Sequence, residues 1–242
     1  MISAKIRGLK TRIVAAYTER ALSPLSRKIR SQRLTYLTAG KLLRIERHLH
    51  DVLHDKVQGD VIELGVYLGG SAILLASQAG KSARKFYGFD NFTVIPEPSS
   101  DKDDDFSKEL YRNIVSGNFR GIGGDPYYGY EPDLLDRVKK NFASYGLPID
   151  NVCRTLLKGL FETTLPNYAG PVAFAHIDCD WYDPVKFSLE EISKRLSVGG
   201  VMVLDDYHAF AGARRATDEF LSHHPEYRKL DGENVVLVRR AA

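Results

Sequence analysis

The sequence has little cysteine, little net charge and no long apolar run. Cys153 and Cys179 are the only thiols in 242 residues. They are too few and too core-like for a disulfide framework, which makes a reducing cytoplasm the expected compartment. A net charge of +3 is too small for a chain that binds nucleic acid through its phosphates. No stretch approaches the roughly 18 consecutive apolar residues of a membrane-spanning helix. The N-terminus also lacks a compact apolar run followed by a small-residue cleavage site, so neither an integral membrane segment nor a signal peptide is expected. There is no internal repeat, and no low-complexity tract beyond Asp103-Asp104-Asp105.

What is present is an ordinary globular composition, 43% hydrophobic and 27% charged, enough for one large α/β domain with a helical extension. The charge is unevenly spread. Lys5, Arg7, Lys10, Arg12, Arg20, Arg27, Lys28, Arg30 and Arg33 face a single acid, Glu19, within the first 33 residues. A basic arm of this kind reads as a membrane-surface or anionic-ligand segment, or as a helical arm packed on the domain or on a second subunit. The scattered apolar positions favour the second. Residues 1–57 are therefore expected to form a basic helical extension, acting as a lid or a homo-oligomerisation arm. Residues 58–242 form the main domain.

Beyond residue 58, short apolar runs alternate with helical stretches, the pattern of a mostly parallel sheet covered on both faces. Strands are predicted over 60–64, 85–89, 152–157, 172–177, 201–204, 227–230 and 235–239, the last two as an antiparallel pair. Helices are predicted over 35–56, from the opening Gly69-Gly70-Ser71 to about Gln78, from Asp183 to about Leu196 with Gly199-Gly200 as the stop, and over about 211–222. Residues 93–131 fall outside this rhythm. So long a polar insertion is expected to be a lid, a binding loop or disorder.

Two constellations carry chemistry. The first is Glu63-Leu64-Gly65-Val66-Tyr67-Leu68-Gly69-Gly70-Ser71, a glycine turn between a strand end and a helix start, where backbone can approach a ligand closely. A dinucleotide fold would hold pyrophosphate there, but Glu63 repels phosphate and suits a cationic amino acid such as that of S-adenosylmethionine. Asp90, at the end of the second strand, is placed to accept hydrogen bonds from ribose hydroxyls.

The second constellation is acidic. Asp178 and Asp180 follow the fourth strand two residues apart, so both point the same way if the chain stays extended. Asp205 and Asp206 end the fifth. Ligands of open parallel sheets bind beyond these ends, and four converging carboxylates need a cation, a proton or a basic side chain between them. An all-oxygen set suits Mg²⁺ or another hard cation, which would hold a hydroxyl while a carboxylate takes its proton. Singly, each acid reads as a helix cap. Cys179 alternates away from its neighbours and reads as core. His208 is a candidate general base or substrate contact. His48, His50 and His54 read as surface residues, although His50 and His54 have chelate spacing.

Together these motifs resemble the macrocin O-methyltransferase (TylF-like) family of class I S-adenosylmethionine-dependent methyltransferases, which act on sugar hydroxyls of natural products. The likeness runs from Val61-Ile62-Glu63-Leu64-Gly65-Val66 and Gly69-Gly70-Ser71-Ala72 through Asn141-Phe142, Tyr145-Gly146 and Thr164-Leu165-Pro166. It continues in Ile177-Asp178-Cys179-Asp180-Trp181-Tyr182, Leu204-Asp205-Asp206-Tyr207 and Arg214-Arg215-Ala216, covering about residues 35–240. It implies a Rossmann-like, seven-stranded, mostly parallel sheet with an antiparallel last strand, a lid over the cofactor, and Mg²⁺ held by Asp178, Asp205 and Asp206. Asp178 or Asp180 is the implied base. The implied cofactor contacts are Glu63, Gly65, Val66, Tyr67, Gly70, Ser71, Asp90, Asn91, Gly159, Phe161 and Asp178. The acceptor is expected to be a small hydroxylated, sugar-containing molecule; Tyr127, Tyr128 and Tyr130 read either as its stacking partners or as surface residues of a disordered loop.

The sequence departs from that family in reading Asp90-Asn91-Phe92 where Asp-Ser-Phe is usual, and in its long 93–131 segment. Three other readings compete: a catechol-type O-methyltransferase, an NAD-type oxidoreductase, which the missing Gly-x-Gly-x-x-Gly opposes, and a non-catalytic scaffold, which the retained acids oppose.

Overall fold

The alternating runs form seven strands, β1 (Asp60–Leu64), β2 (Phe86–Asp90), β3 (Arg154–Lys158), β4 (Val172–Ile177), β5 (Leu196–Leu204), β6 (Tyr227–Leu230) and β7 (Val235–Arg239). The computed structural model describes residues 17–241; Lys5, Arg7, Lys10 and Arg12 of the basic arm lie outside the described residues. The strands make one sheet in the order β3-β2-β1-β4-β5-β7-β6. β1 to β5 are mutually parallel, and β7 runs against both β5 and β6. The direction of winding reverses between β1 and β4, which opens a crevice beyond their carboxyl ends.

Strand alternation divides the core. Val61, Phe86, Phe174 and Val203 face one cluster, while Ile62, Phe89, Ala175 and Met202 face the other. Helices α1 (Pro24–Ser31), α2 (Ala39–His54), α3 (Gly70–Lys81) and α5 (Leu134–Ser144) cover the first face; α6 (Tyr182–Ser193) and α7 (Ala211–His223) cover the second. In α2 the buried stripe is Leu42, Ile45, Leu49 and Val52, one helical face. The helix is shorter than the predicted 35–56 because the Thr38 hydroxyl caps it, accepting the Lys41 N–H at 3.1 Å. His50 and His54 lie on its exposed side.

Three local expectations need correction. The third strand begins at Arg154, not at 152, because Asp150 Oδ1 accepts the N–H groups of Val152, Cys153 and Arg154 at 2.8–3.0 Å. Cys153 is accordingly exposed, and only Cys179 is buried. The glycine pair Gly199-Gly200 does not stop a helix: α6 ends at Ser193, and the pair lies inside β5. Gly199 has φ +80°, and the register between β4 and β5 shifts there, with Val172 opposite Leu196 but Phe174 opposite Val201. Extra residues looped out of one strand are a bulge, which glycine tolerates.

The 93–131 insertion is built, with α4 (Asp105–Val115) at its centre. The acidic triplet is a helix start, since Asp104 Oδ1 accepts the Ser107 N–H at 2.9 Å. The segment is pinned across the strand ends. Asp103 Oδ1 accepts the Tyr182 N–H at 2.9 Å, the Lys102 ammonium meets Glu219 at 2.8 Å, and Trp181 Nε1 donates to Pro96 O at 2.9 Å. Among the described residues, no helix is long and apolar enough to cross a membrane.

Candidate active site

The crevice between β1 and β4 is floored by contact of their ends. Asp178 N–H donates to Leu64 O at 2.9 Å, and a Cβ on Gly65 would stand 1.9 Å from Asp178 O. Gly65 also has φ +91°, so only glycine fits this crossing. The turn that follows is organised by Asp90, whose Oδ2 accepts Val66 N–H at 2.8 Å and Tyr67 N–H at 3.1 Å. Its Oδ1 takes Phe92 N–H at 2.6 Å. Burial raises the Asp90 carboxyl above its usual range, and these three donors oppose the rise.

Glu63 lies beneath the turn, fully buried and bonded to the equally buried His176 Nδ1 at 2.8 Å. Burial raises its carboxyl, while His176 and the Ser71 hydroxyl hold it down. Glu63 Oε2 and His176 Nε2 have no hydrogen-bond partner.

Two adjoining cavities occupy the strand ends. One, of about 280 Å³, is lined by Asn91, Gly159, Phe161 and Trp181 among others. The other, of about 370 Å³, is lined by Lys41, Tyr67, Ser71, Asp205, Asp206 and Phe210 among others. Gly65, Asp90, Ile95, Tyr128, Asp178 and Asp180 border both. Of the expected cofactor contacts, Gly65, Tyr67, Ser71, Asp90, Asn91, Gly159, Phe161 and Asp178 thus reach a cavity. Glu63, Val66 and Gly70 do not line either one. The Val66 side chain is buried in the first core cluster, and its contribution is the N–H held by Asp90.

Ligand atoms of Asp178, Asp205 and Asp206 come within 4.8 Å of one another. Asp180 departs from the expected extended geometry. β4 ends at Ile177, and Asp180 has φ +60° and donates its N–H to Asp206 Oδ2 at 3.1 Å. It borders the cluster at the junction of the cavities without joining the three ligand atoms. Burial, then the neighbouring carboxylates, push Asp178 and Asp180 well above the usual carboxylate range and Asp206 up to about 6. Asp205 Oδ1 is buried without a partner.

One residue at the cluster has no motif to mark it in the sequence. Lys41 sits in the first turn of α2 and reaches Asp205 Oδ2 at 2.6 Å and Asp205 O at 3.1 Å. Burial draws its ammonium down, but the charges of Asp205, Asp206 and Asp178 outweigh that and hold it above its usual value.

His208 is exposed on the 3₁₀ turn Asp206–His208, its ring against Tyr207, and lines neither cavity. The tight turn aims Asp206 inward and His208 out, so the expected general-base position is not met. The tyrosines divide as well. Tyr127 and Tyr128 line the second cavity, with ring centroids 4.3 Å apart and Tyr67 4.2 Å beyond Tyr128. Tyr130 instead staples the insertion, its hydroxyl accepting Phe119 N–H at 3.2 Å and donating to Ile114 O.

Comparison with known proteins agrees with this geometry. The profile of the Macrocin-O-methyltransferase (TylF) family matches residues 17–121 and 133–232. A Streptomyces olivaceus protein, 8-demethyl-8-(2,3-dimethoxy-alpha-L-rhamnosyl)-tetracenomycin-C 4'-O-methyltransferase, is 32% identical over 190 residues, 77% of this chain and 67% of that protein. Mycinamicin III 3''-O-methyltransferase of Micromonospora griseorubida is 28% identical over 214 residues, 86% of this chain and 79% of that protein. The solved structure of the O-methyltransferase NovP superposes with a TM-score of 0.70 at 24% identity, covering 86% of this chain and 82% of that one.

Proposed function

The chain belongs to the macrocin O-methyltransferase family, and on that premise we propose that it methylates a hydroxyl of a sugar-containing small molecule. The donor is S-adenosylmethionine, and Asp178, Asp205 and Asp206 hold a hard divalent cation such as Mg²⁺. The observation that carries this reading is the three-carboxylate cluster at the junction of two cavities, behind a glycine turn. Its donor set is all oxygen, as a hard cation requires, and the partnerless buried Asp205 Oδ1 is a free ligand atom.

When bound, the cofactor supplies a methyl group on a sulfonium, and the cation supplies positive charge beside the acceptor oxygens. The residues of the chain do the rest. Asp90, Asn91 and Gly159–Phe161 bound the space for the nucleoside, while Tyr67 and Ser71 bound the space for its amino-acid end. Gly65 keeps the floor between them low. Tyr127, Tyr128 and Phe210 wall the acceptor space and exclude water. Asp180 is placed beside the cluster, where burial and then the neighbouring carboxylates favour its neutral form; with a bound cation offsetting their charge, its carboxylate would receive the hydroxyl proton. The segment Thr35-Tyr36-Leu37, which also lines the acceptor space, makes the N-terminal extension part of the lid. A cytoplasmic location and self-association through that extension belong to the same reading.

The test is methyl transfer from labelled S-adenosylmethionine to a panel of glycosylated acceptors and catechols, with Mg²⁺ or with EDTA. The expected result is transfer to a sugar hydroxyl that EDTA abolishes. Transfer to catechols alone would move the acceptor to the aromatic diols. Sugar transfer unaffected by EDTA would refute the cation.

A further inference from the structure

Lys41 is oddly placed for a helix. It lies in the first turn of α2, which contains no acid, where the helix dipole disfavours a cation. Its side chain is only 19% exposed and spans from α2 to the end of β5. Its partner is Asp205, bonded through both a carboxylate oxygen and the backbone carbonyl. The same ammonium is the cation that acts on Asp178, Asp180 and Asp206. Thr38 fixes the start of α2 from the other side, accepting Lys41 N–H and donating to Glu233 Oε2.

We propose that Lys41 is a positioning residue that weakens the divalent-cation site. Its fixed charge holds Asp205 and offsets one negative charge of the cluster, so a divalent cation must share that carboxylate with an ammonium. Without Lys41, the same acids form a tighter cation site. This rests on the reading of Asp178, Asp205 and Asp206 as cation ligands. Two like charges sharing one buried carboxylate repel strongly, so removing one is expected to tighten cation binding by about tenfold or more.

The experiment uses Mn²⁺ as the probe and full-length protein without acceptor, reading free Mn²⁺ by electron paramagnetic resonance. Wild type is compared with Lys41→Met, Lys41→Gln and Lys41→Arg. Both neutral variants are expected to bind Mn²⁺ about tenfold more tightly. They should also melt lower than wild type in EDTA and gain more in melting temperature from Mn²⁺. Lys41→Arg, which keeps the charge, should behave as wild type. Folded neutral variants that bind Mn²⁺ as wild type does, or more weakly, would overturn the proposal. If wild type and variants alike bind no Mn²⁺, the cation reading itself fails and this inference falls with it, an outcome recognisable in wild type alone.

Discussion

Asp206→Asn separates what the acidic cluster costs the fold from what it does in the site. Asp206 moves from 3.8 to about 6 on folding, through burial first and the charge of Asp205 second. The folded chain therefore holds this proton more tightly than the unfolded one. Its favourable contribution is complete below pH 3.8 and disappears as pH rises from 3.8 to about 6. At pH 8 the ionised group leaves the cation-free fold about 3 kcal/mol less stable than it would be with a neutral group there. Asparagine avoids that penalty and keeps an oxygen for the Asp180 N–H, now 3.1 Å away. In EDTA at pH 8 the variant should melt higher than wild type, by up to roughly 6–12 °C for a domain of this size. The attraction of Lys41 is already netted in that rise. Near pH 4 the difference should shrink towards zero. Mg²⁺ should reverse the order, raising wild type but not the variant, and turnover should fall by about two orders of magnitude or more. Differential scanning fluorimetry across pH, with and without Mg²⁺, reads all of this. A variant that melts below wild type in EDTA at pH 8 would show that the attraction to Lys41 exceeds the repulsion, and the argument would be wrong.

Other perturbations separate the remaining parts. His176→Ala leaves Glu63 buried without its partner and should cost about 3–5 kcal/mol in urea unfolding; a loss below about 1 kcal/mol would mean that Glu63 is already neutral. Asp180→Asn should lower kcat by about 10²–10⁴-fold while Mn²⁺ and S-adenosylhomocysteine affinities, measured by calorimetry, stay near wild type. Weakened Mn²⁺ binding there would make Asp180 a ligand instead. Gly65→Ala forces a Cβ into Asp178 O at a positive φ and should abolish S-adenosylhomocysteine binding with a loss of several kcal/mol; a wild-type thermal shift with this ligand would contradict the close crossing of β1 and β4.

Much of the fold is legible in the sequence because each strand carries its own signal. The runs at β1 and β4 are mostly apolar, β1 running into the Gly65 turn and β4 into Asp178, and these features survive at the level of single residues. The glycine turn and Asp90 are legible for the same reason. Asp178, Asp205 and Asp206 converge as expected because β4 and β5 are paired, with Ile177 opposite Leu204. Where the sequence misleads, a local residue takes a role decided elsewhere. Gly199-Gly200 looks like a helix stop but is a bulge imposed by register, and Asp150 delays a strand by binding three backbone donors. His208 sits beside the right acids in sequence, but a 3₁₀ turn carries it outward.

The insertion and Lys41 show a subtler loss of signal. Asp103-Asp104-Asp105 reads as a bare charge cluster, yet each acid has a separate task that only packing reveals. Asp104 caps α4, Asp105 occupies its first turn, and Asp103 captures the start of α6. Phe106, Ser107 and Lys108 stand three residues after these acids, so no capping box marks which of them begins α4. Asp103 cannot be assigned that way because its partner is 79 residues away. Lys41 is separated from Asp205 by 164 residues, and in a helix predicted from residue 35 it falls past the first turn. With Thr38 as the cap, Lys41 stands in a first turn without acids, against the helix dipole, and a group outside the helix holds it there. The four carboxylates at the ends of β4 and β5 need a counter-charge of that sign. That match joins the start of α2 to the end of β5 only once the Thr38 cap has set where the helix begins.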